Sequence, residues 1–394
     1  MNICSDNSFL TIFKLIFRLF RFTGIEVLCR PKHVARNMEL DDLPLSRGKW
    51  IKYRILCFIQ DGCKYYVYIG FCAKILVGTA KMLYSVDKTR YLTDNFISLL
   101  TILFYVSVYR KRHAMSQMTE TLSQLLKRVL DGTPMVKTYA FIAYLITVIF
   151  LLFIYSTQRY VSENYVKDLL KITPELKKAN ISLNFTLYYC SLFLGLTFTF
   201  VSLISCYVLA LFALYYSLTC SYIRVLLKHV LELVDEECFP SNPDSVFYIY
   251  GYITRYMRNM DEQLSLPVFV SVFFTMIGLF WGGYRIAFNP NMTREQSLSL
   301  IIPLIFYLSV QLLIMVSASI TNELANKAKS VMQCLPYRNL TQDLKKKYKF
   351  KKDLNQGNCL TLWNIYVMDR SLVITSVGTL LTYGILIGTL GKNT

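Results

Sequence analysis

An all-α membrane protein of seven transmembrane helices, N-terminus inside and C-terminus outside, is the fold class this sequence predicts, on three observations. Mean hydropathy is +0.38 and 54% of the 394 residues are hydrophobic, too apolar for a soluble domain of this length. The apolar residues come in blocks about as long as a ~30 Å hydrocarbon core requires, rather than in amphipathic stripes. Lys and Arg number thirty in one set of intervening segments against ten in the alternate set, and retention of cations on the cytoplasmic side produces such a bias.

The first element is Phe9 to Phe22, FLTIFKLIFRLFRF, which sets Lys14, Arg18 and Arg21 on one helical face with Phe and Leu around the rest. That is the pattern of a helix lying in the interface plane. A secretory signal is the weaker reading, since cations interrupt the apolar core and no small-residue cleavage site follows. The first span, Tyr65 to Tyr84, is apolar but carries Lys74 and Lys81. A lysine at bilayer depth marks a functional candidate unless it snorkels or faces protein.

Six clearer spans follow: Phe96 to Tyr109 with Tyr91 to Asn95 as its extension, Val136 to Ser156, Leu187 to Tyr216, Pro267 to Ile286, Ser297 to Ser319 and Leu372 to Leu390. The last is nineteen residues without a charge, followed by only four more, which puts the C-terminus at the membrane surface. Two spans run on as amphipathic helices that need a cytoplasmic partner. One carries Leu226, Leu227, Val230, Leu231 and Val234 before Asp235, Glu236 and Glu237; the other carries Ile320, Leu324, Val331 and Leu335 before the lysine run from Lys345 to Lys352. The chain thus divides into a cytoplasmic N-terminal segment (1–54), six spans (55–319), a cytoplasmic helical anchor (320–370) and a last helix (371–394).

Composition also excludes function classes. The net charge of +18 sits on loops of one side, where retention and anionic headgroups favour it, and no nucleic-acid motif accompanies it. His33, His113 and His229 all fall on the cytoplasmic side, far apart, and of eleven cysteines only Cys190 falls near an outer surface. Neither a metal site, a cofactor site, an outer disulfide nor a histidine-based active site is indicated. With no nucleophile elbow and no phosphate-binding glycine loop, the chain reads as no enzyme.

Residues Asn364 to Leu390, NIYVMDRSLVITSVGTLLTYGILIGTL, carry a motif. Asp369, Arg370, Ser371 and Leu372 form a D-R-S-L step, Gly378 and Thr379 a G-T step, and Thr382 and Tyr383 a T-Y pair. This pattern resembles the last region of arthropod gustatory receptors, which are related to insect odorant receptors. The closing Gln-Phe of that family is replaced here by Thr389 and Leu390, as in a divergent or lineage-specific member. The resemblance is specific over about thirty residues; over the rest it rests on span number, inverted topology, helix extensions and length.

Taken alone, the last helix reads as a packing helix, with small residues for close approach and hydroxyls able to face water. The resemblance implies more: a tetramer in which this helix lines a central cation pore, with Leu386, Thr389 and Leu390 at the gate. Leu386 and Leu390 stand one turn apart and suit an apolar constriction. The resemblance further implies a ligand pocket among the outer halves of the first six spans. Candidates there are Phe153, Tyr155, Tyr188, Tyr189, Trp281, Tyr284, Tyr307 and Gln311, aromatic surface plus polar edges for a sugar, a bitter compound or another small organic. The rival reading of those aromatics is an interfacial belt.

The expected function is therefore a tastant-gated nonselective cation channel in a chemosensory neuron's cell membrane, with tastant, permeant cations, lipids and further copies or relatives of the chain as partners. A receptor coupled to G proteins is the alternative. Against it stand the charge bias, the missing outer cysteine pair and the absence of an N-P-x-x-Y ending. A transporter ranks third, since no internal repeat or broken-helix pair is visible.

Overall fold

A computed structural model describes residues 6–25, 47–84, 88–129, 144, 147, 181–235, 243–288, 294–334, 359–376, 378, 379 and 382. Among the described residues six long helices come in order: α1 (Asp6–Phe22), α2 (Arg47–Tyr84), α3 (Lys88–Val129), α4 (Ile181–Asp235), α5 (Pro243–Phe288) and α6 (Arg294–Cys334). A two-stranded antiparallel hairpin, β1 (Thr361–Leu362) and β2 (Tyr366–Val367), leads into a last helix, α7, over 370–376 with Gly378, Thr379 and Thr382 also helical. Helices α2 to α6 run to 38–55 residues, well past the ~20 that a bilayer takes. Each apolar block therefore continues into a polar extension of the same helix. By length and composition, α4, α5 and α6 can cross a membrane. Of the span expected at Val136 to Ser156, only Tyr144 and Thr147 lie within the described residues.

Helix α4 is the axis of the bundle. Every residue from Val208 to Cys220 is buried, as a helix apolar on all sides requires. Its few polar groups are matched: Tyr215 Oη donates to the Met115 carbonyl of α3 at 2.9 Å, and Ser217 meets Ser317 of α6 at 2.7 Å. Unpaired, such groups would cost several kcal/mol in an apolar interior.

Helix α1 departs from the expected interfacial placement. Ile12, Phe13, Ile16 and Phe20 are buried in the protein, with Phe13 5.7 Å from the ring of Tyr215 and 6.1 Å from that of Tyr222. The apolar face is spent on α4 rather than on lipid. Lys14 and Arg18 are exposed as expected, whereas Arg21 is half-buried. Past α1, Gly24 takes a φ of 81° and Tyr105 Oη donates to the Thr23 carbonyl at 2.8 Å, tying the segment to α3.

Lys74 of α2 is half-buried and donates to Ser202 of α4 at 3.3 Å, so it faces protein. Helices α5 and α6 meet through Gly278 and Gly282. A Cβ on Gly278 would stand 2.7 Å from the Tyr307 ring, and one on Gly282 2.8 Å from Leu304. The glycines are the groove into which α6 packs. The extension of α6 buries a different face from the one its large residues suggest. Thr321, Asn322, Ala325, Ala328 and Met332 are buried, while Ile320 is exposed and Leu324 and Val331 are half-buried. Small and polar residues there admit close neighbours, which a reading keyed to Leu, Ile and Val does not detect.

Candidate functional site

The last helix is held by a hairpin, and the hairpin is held by two buried polar side chains. Trp363 and Asn364 form its turn with φ of 51° and 57°, and Ile365 N–H closes it on the Leu362 carbonyl at 3.0 Å. With Ile365 they make the three-residue loop between the paired Leu362 and Tyr366, and two successive left-handed residues reverse the chain tightly there. Asn tolerates that conformation; Trp does so at a cost of roughly 1–2 kcal/mol. Packing of the Trp363 ring 5.4 Å from Phe269 of α5 opposes that cost. Thr361 pairs with Val367 and Leu362 with Tyr366, and Met368 N–H donates to the Leu360 carbonyl.

Asn322 of α6 grips the open end of this hairpin. Its Nδ2 donates to the carbonyls of Leu360 (2.9 Å) and Met368 (2.8 Å), and its Oδ1 accepts from Leu360 N–H (2.7 Å). Asp261 of α5 takes the next residue, accepting from Thr361 N–H at 2.6 Å and from Thr361 Oγ1 at 2.8 Å. Asp261 precedes the apolar run of α5, and its burial pushes the carboxyl above the usual range while the donors of Thr361 pull it back. Cys359, half-buried beside this joint, is raised by its own burial.

Helix α7 begins where the grip ends. Asp369 caps it, its Oδ1 accepting from Leu372 N–H at 2.7 Å, the third helical position. Arg370 pairs with Glu323 of α6 at 2.6 Å, both side chains being largely exposed. At 100° per residue, Leu372, Val373 and Ser376 share one arc, which packs on the bundle. Ser371, Ile374, Thr375, Gly378, Thr379 and Thr382 share the opposite arc, and all are exposed. Among the described residues, that outward arc holds one large apolar residue, Ile374. Thr375 and Thr382 donate back to the carbonyls of Ser371 and Gly378, leaving their oxygens to accept from whatever lies outside.

The gate residues Leu386, Thr389 and Leu390, and Tyr383 of the motif, lie outside the described residues, as do Phe153 and Tyr155. Tyr188 lies on α4. Tyr189 is exposed, and Trp281 and Tyr284 stack with centroids 5.9 Å apart. Tyr307 lies over Gly278, its ring nearly perpendicular to that of Phe274 with centroids 5.5 Å apart. Gln311 is buried against the last helix, its Nε2 within 3.4 Å of Ser376 Oγ, with its Oε1 unmatched. The structure thus joins Gln311 to α7 and Trp281 to Tyr284.

Asp261, Asn322 and Thr361 escaped the sequence reading. Asn322 carried one usable signal, its place in the stripe Thr321, Asn322, Ala325, Ala328, Met332, where a polar residue shares the spacing of a buried face. Asp261 carried none.

A long-helix membrane bundle with a hairpin-mounted, hydroxyl-bearing final helix is the class of protein these features define. The chain is similar in overall fold to the insect olfactory receptor OR5 from Machilis hrabei. It aligns with a TM-score of 0.60 at 12% identity over 96% of this chain and 98% of that one. The same receptor in complex with eugenol gives 0.60 at 15% identity, over 97% and 99%. No protein-family model and no curated protein matches the sequence. At such identity the likeness is one of fold, and the chain has the fold of an insect-type chemoreceptor.

Proposed function

We propose that this protein is a chemoreceptor acting as a ligand-gated, nonselective cation channel of the gustatory type, a tetramer in which α7 lines the pore. The observation that carries the reading is the outward arc of α7. A helix of a single protomer that turns threonine and glycine away from its own bundle gains little from lipid, and much from a water-filled axis shared with other copies. The fold supports the receptor class. The Machilis receptor in complex with eugenol supports a small organic ligand, and the terminal motif narrows the proposal to a tastant. Seven spans with the N-terminus inside, and the cell membrane of a chemosensory neuron as location, belong to the same proposal.

Ligand in the outer pocket would favour a conformer in which the four α7 helices separate at Leu386 and Leu390, admitting water and cations. The hairpin transmits strain between α5, α6 and the start of α7. The test is to express the full chain in cultured cells and record whole-cell current against a panel of sugars, bitter compounds and eugenol. Ligand-dependent current that carries both sodium and potassium is expected. Surface-expressed protein that signals only through added G proteins would replace this reading with the G-protein-coupled one.

A further inference from the structure

Asn322 and Gln311 of α6 both meet the last helix or its mount, and they are bonded very differently. Asn322 makes three hydrogen bonds of 2.7–2.9 Å to the hairpin. Gln311, the one amide side chain in the apolar block 300–316, is 1% exposed and makes only long contacts. Its Nε2 stands 3.4 Å from Ser376 Oγ of α7, beyond the usual N–H···O range, and 3.7 Å from Met315 Sδ. Ser376 returns no proton, because its hydroxyl donates to the Val373 carbonyl at 2.8 Å. Among the described residues no donor meets Gln311 Oε1.

An amide that serves only to join two helices at bilayer depth gains most when both its polar atoms are matched. This contact is half made. Burial disfavours any arrangement that leaves the amide bare, so Gln311 pulls toward one that brings a hydroxyl closer. The geometry says which one does. Ser376 lies on the packed arc of α7, turned away from the outward arc that holds Ile374, Gly378 and Thr382. With that outward arc on a pore, α6 stands behind the helix, and a helix leaving the axis closes on Gln311. The start of α7 cannot follow, because Asn322 and Asp261 fix the hairpin. The helix therefore leans about that fixed end.

We infer that Gln311 is a positioning residue for gating: its hydrogen bond to Ser376 tightens as α7 leaves the pore axis, and so favours the open conformer. This rests on the reading of α7 as the pore helix. In this role Gln311 touches no permeant ion and sets how readily the helix moves.

The test titrates the most effective compound of the sugar, bitter and eugenol panel against whole-cell current in cells expressing the full chain. Gln311→Leu, an apolar side chain of similar size, should raise the half-maximal concentration by on the order of fivefold, with surface biotinylation and the sodium-to-potassium permeability ratio unchanged. Ser376→Ala, which deletes one oxygen, should raise it about threefold, and the double variant should lie within about twofold of Gln311→Leu, since both remove one interaction. A packing role would lower the thermal unfolding midpoint and leave the half-maximal concentration in place. A ligand contact at Gln311 would shift the concentration without coupling to Ser376. Concentrations within about twofold of wild type, or shifts that multiply in the double variant, overturn the assignment and leave the channel reading standing. If Gln311→Leu fails to reach the surface, an unshifted Ser376→Ala overturns it alone. A wild-type chain at the surface that passes no current across the panel overturns both.

Discussion

Helices α6 and α7 each turn one face away from the rest of the protein, and the two faces are built of different residues. Along α6 between residues 301 and 320 the outward side chains are Ile301, Ile305, Leu308, Leu312, Val316 and Ile320, all large and apolar and 38–55% exposed. Along α7 they are Ser371, Ile374, Thr375, Gly378, Thr379 and Thr382. Both helices belong to the same membrane protein, so exposure alone does not set their composition. The α6 face is what lipid selects. The α7 face, small and hydroxylated beside a packed arc of Leu372, Val373 and Ser376, is in the proposed channel the wall of a narrow aqueous space. One chain thus shows two kinds of outside.

The sharpest way to break that comparison is to fill the α7 face. Thr375→Phe should reduce ligand-evoked current by on the order of tenfold or more by occluding the pore, with surface expression unchanged in a biotinylation assay. If current survives intact, the face is not a pore lining. A smaller but broader effect is expected from Asn322→Leu. It leaves the Leu360 N–H and the Met368 carbonyl without their partner, at a cost of about 1–3 kcal/mol for buried groups. Thermal unfolding of the detergent-solubilised protein, followed by fluorescence-detected size exclusion, should show a lower midpoint, and evoked current should fall with it.

Leu308→Thr on the α6 face is the counterpart to the first substitution. Stability should stay within about 0.5 kcal/mol of wild type and current within twofold; a loss as large as that of Thr375→Phe would erase the distinction between the faces. Least of all should change in Arg370→Ala. Its pair with Glu323 is solvent-exposed on both sides, and such pairs contribute under about 1 kcal/mol and fade with salt. A shift in unfolding midpoint at low ionic strength that vanishes at high salt is the expected trace.

What the sequence made legible follows from the size of each signal. Apolar blocks are long and redundant, so the helical runs in α3, α4, α5 and α6 fall where hydropathy put them. The motif around Asp369 located the start of α7 because an acidic cap and a change of composition coincide there. Three things were not legible. The face of α1 reads the same whether it meets lipid or Tyr215 and Tyr222, since both are apolar. The buried stripe of the α6 extension is made of Ala, Thr and Asn, whose burial depends on how near a neighbour comes. The clamp on the hairpin joins Asp261 to Thr361, one hundred positions apart, and no local pattern encodes a contact at that distance.

The capped start of α7 also fixes a phase. The Met368 carbonyl is tied to Asn322 and the helix begins at the next residues, so nothing slack lies between anchor and helix to absorb a change of length. One residue inserted there would rotate every later side chain by about 100°, turning Val373 outward into the place of exposed Ile374 and Thr375 inward into the place of buried Ser376. Between Met368 and Arg370, chain length acts as a dial setting, and natural variation in this protein should favour substitution there over insertion or deletion.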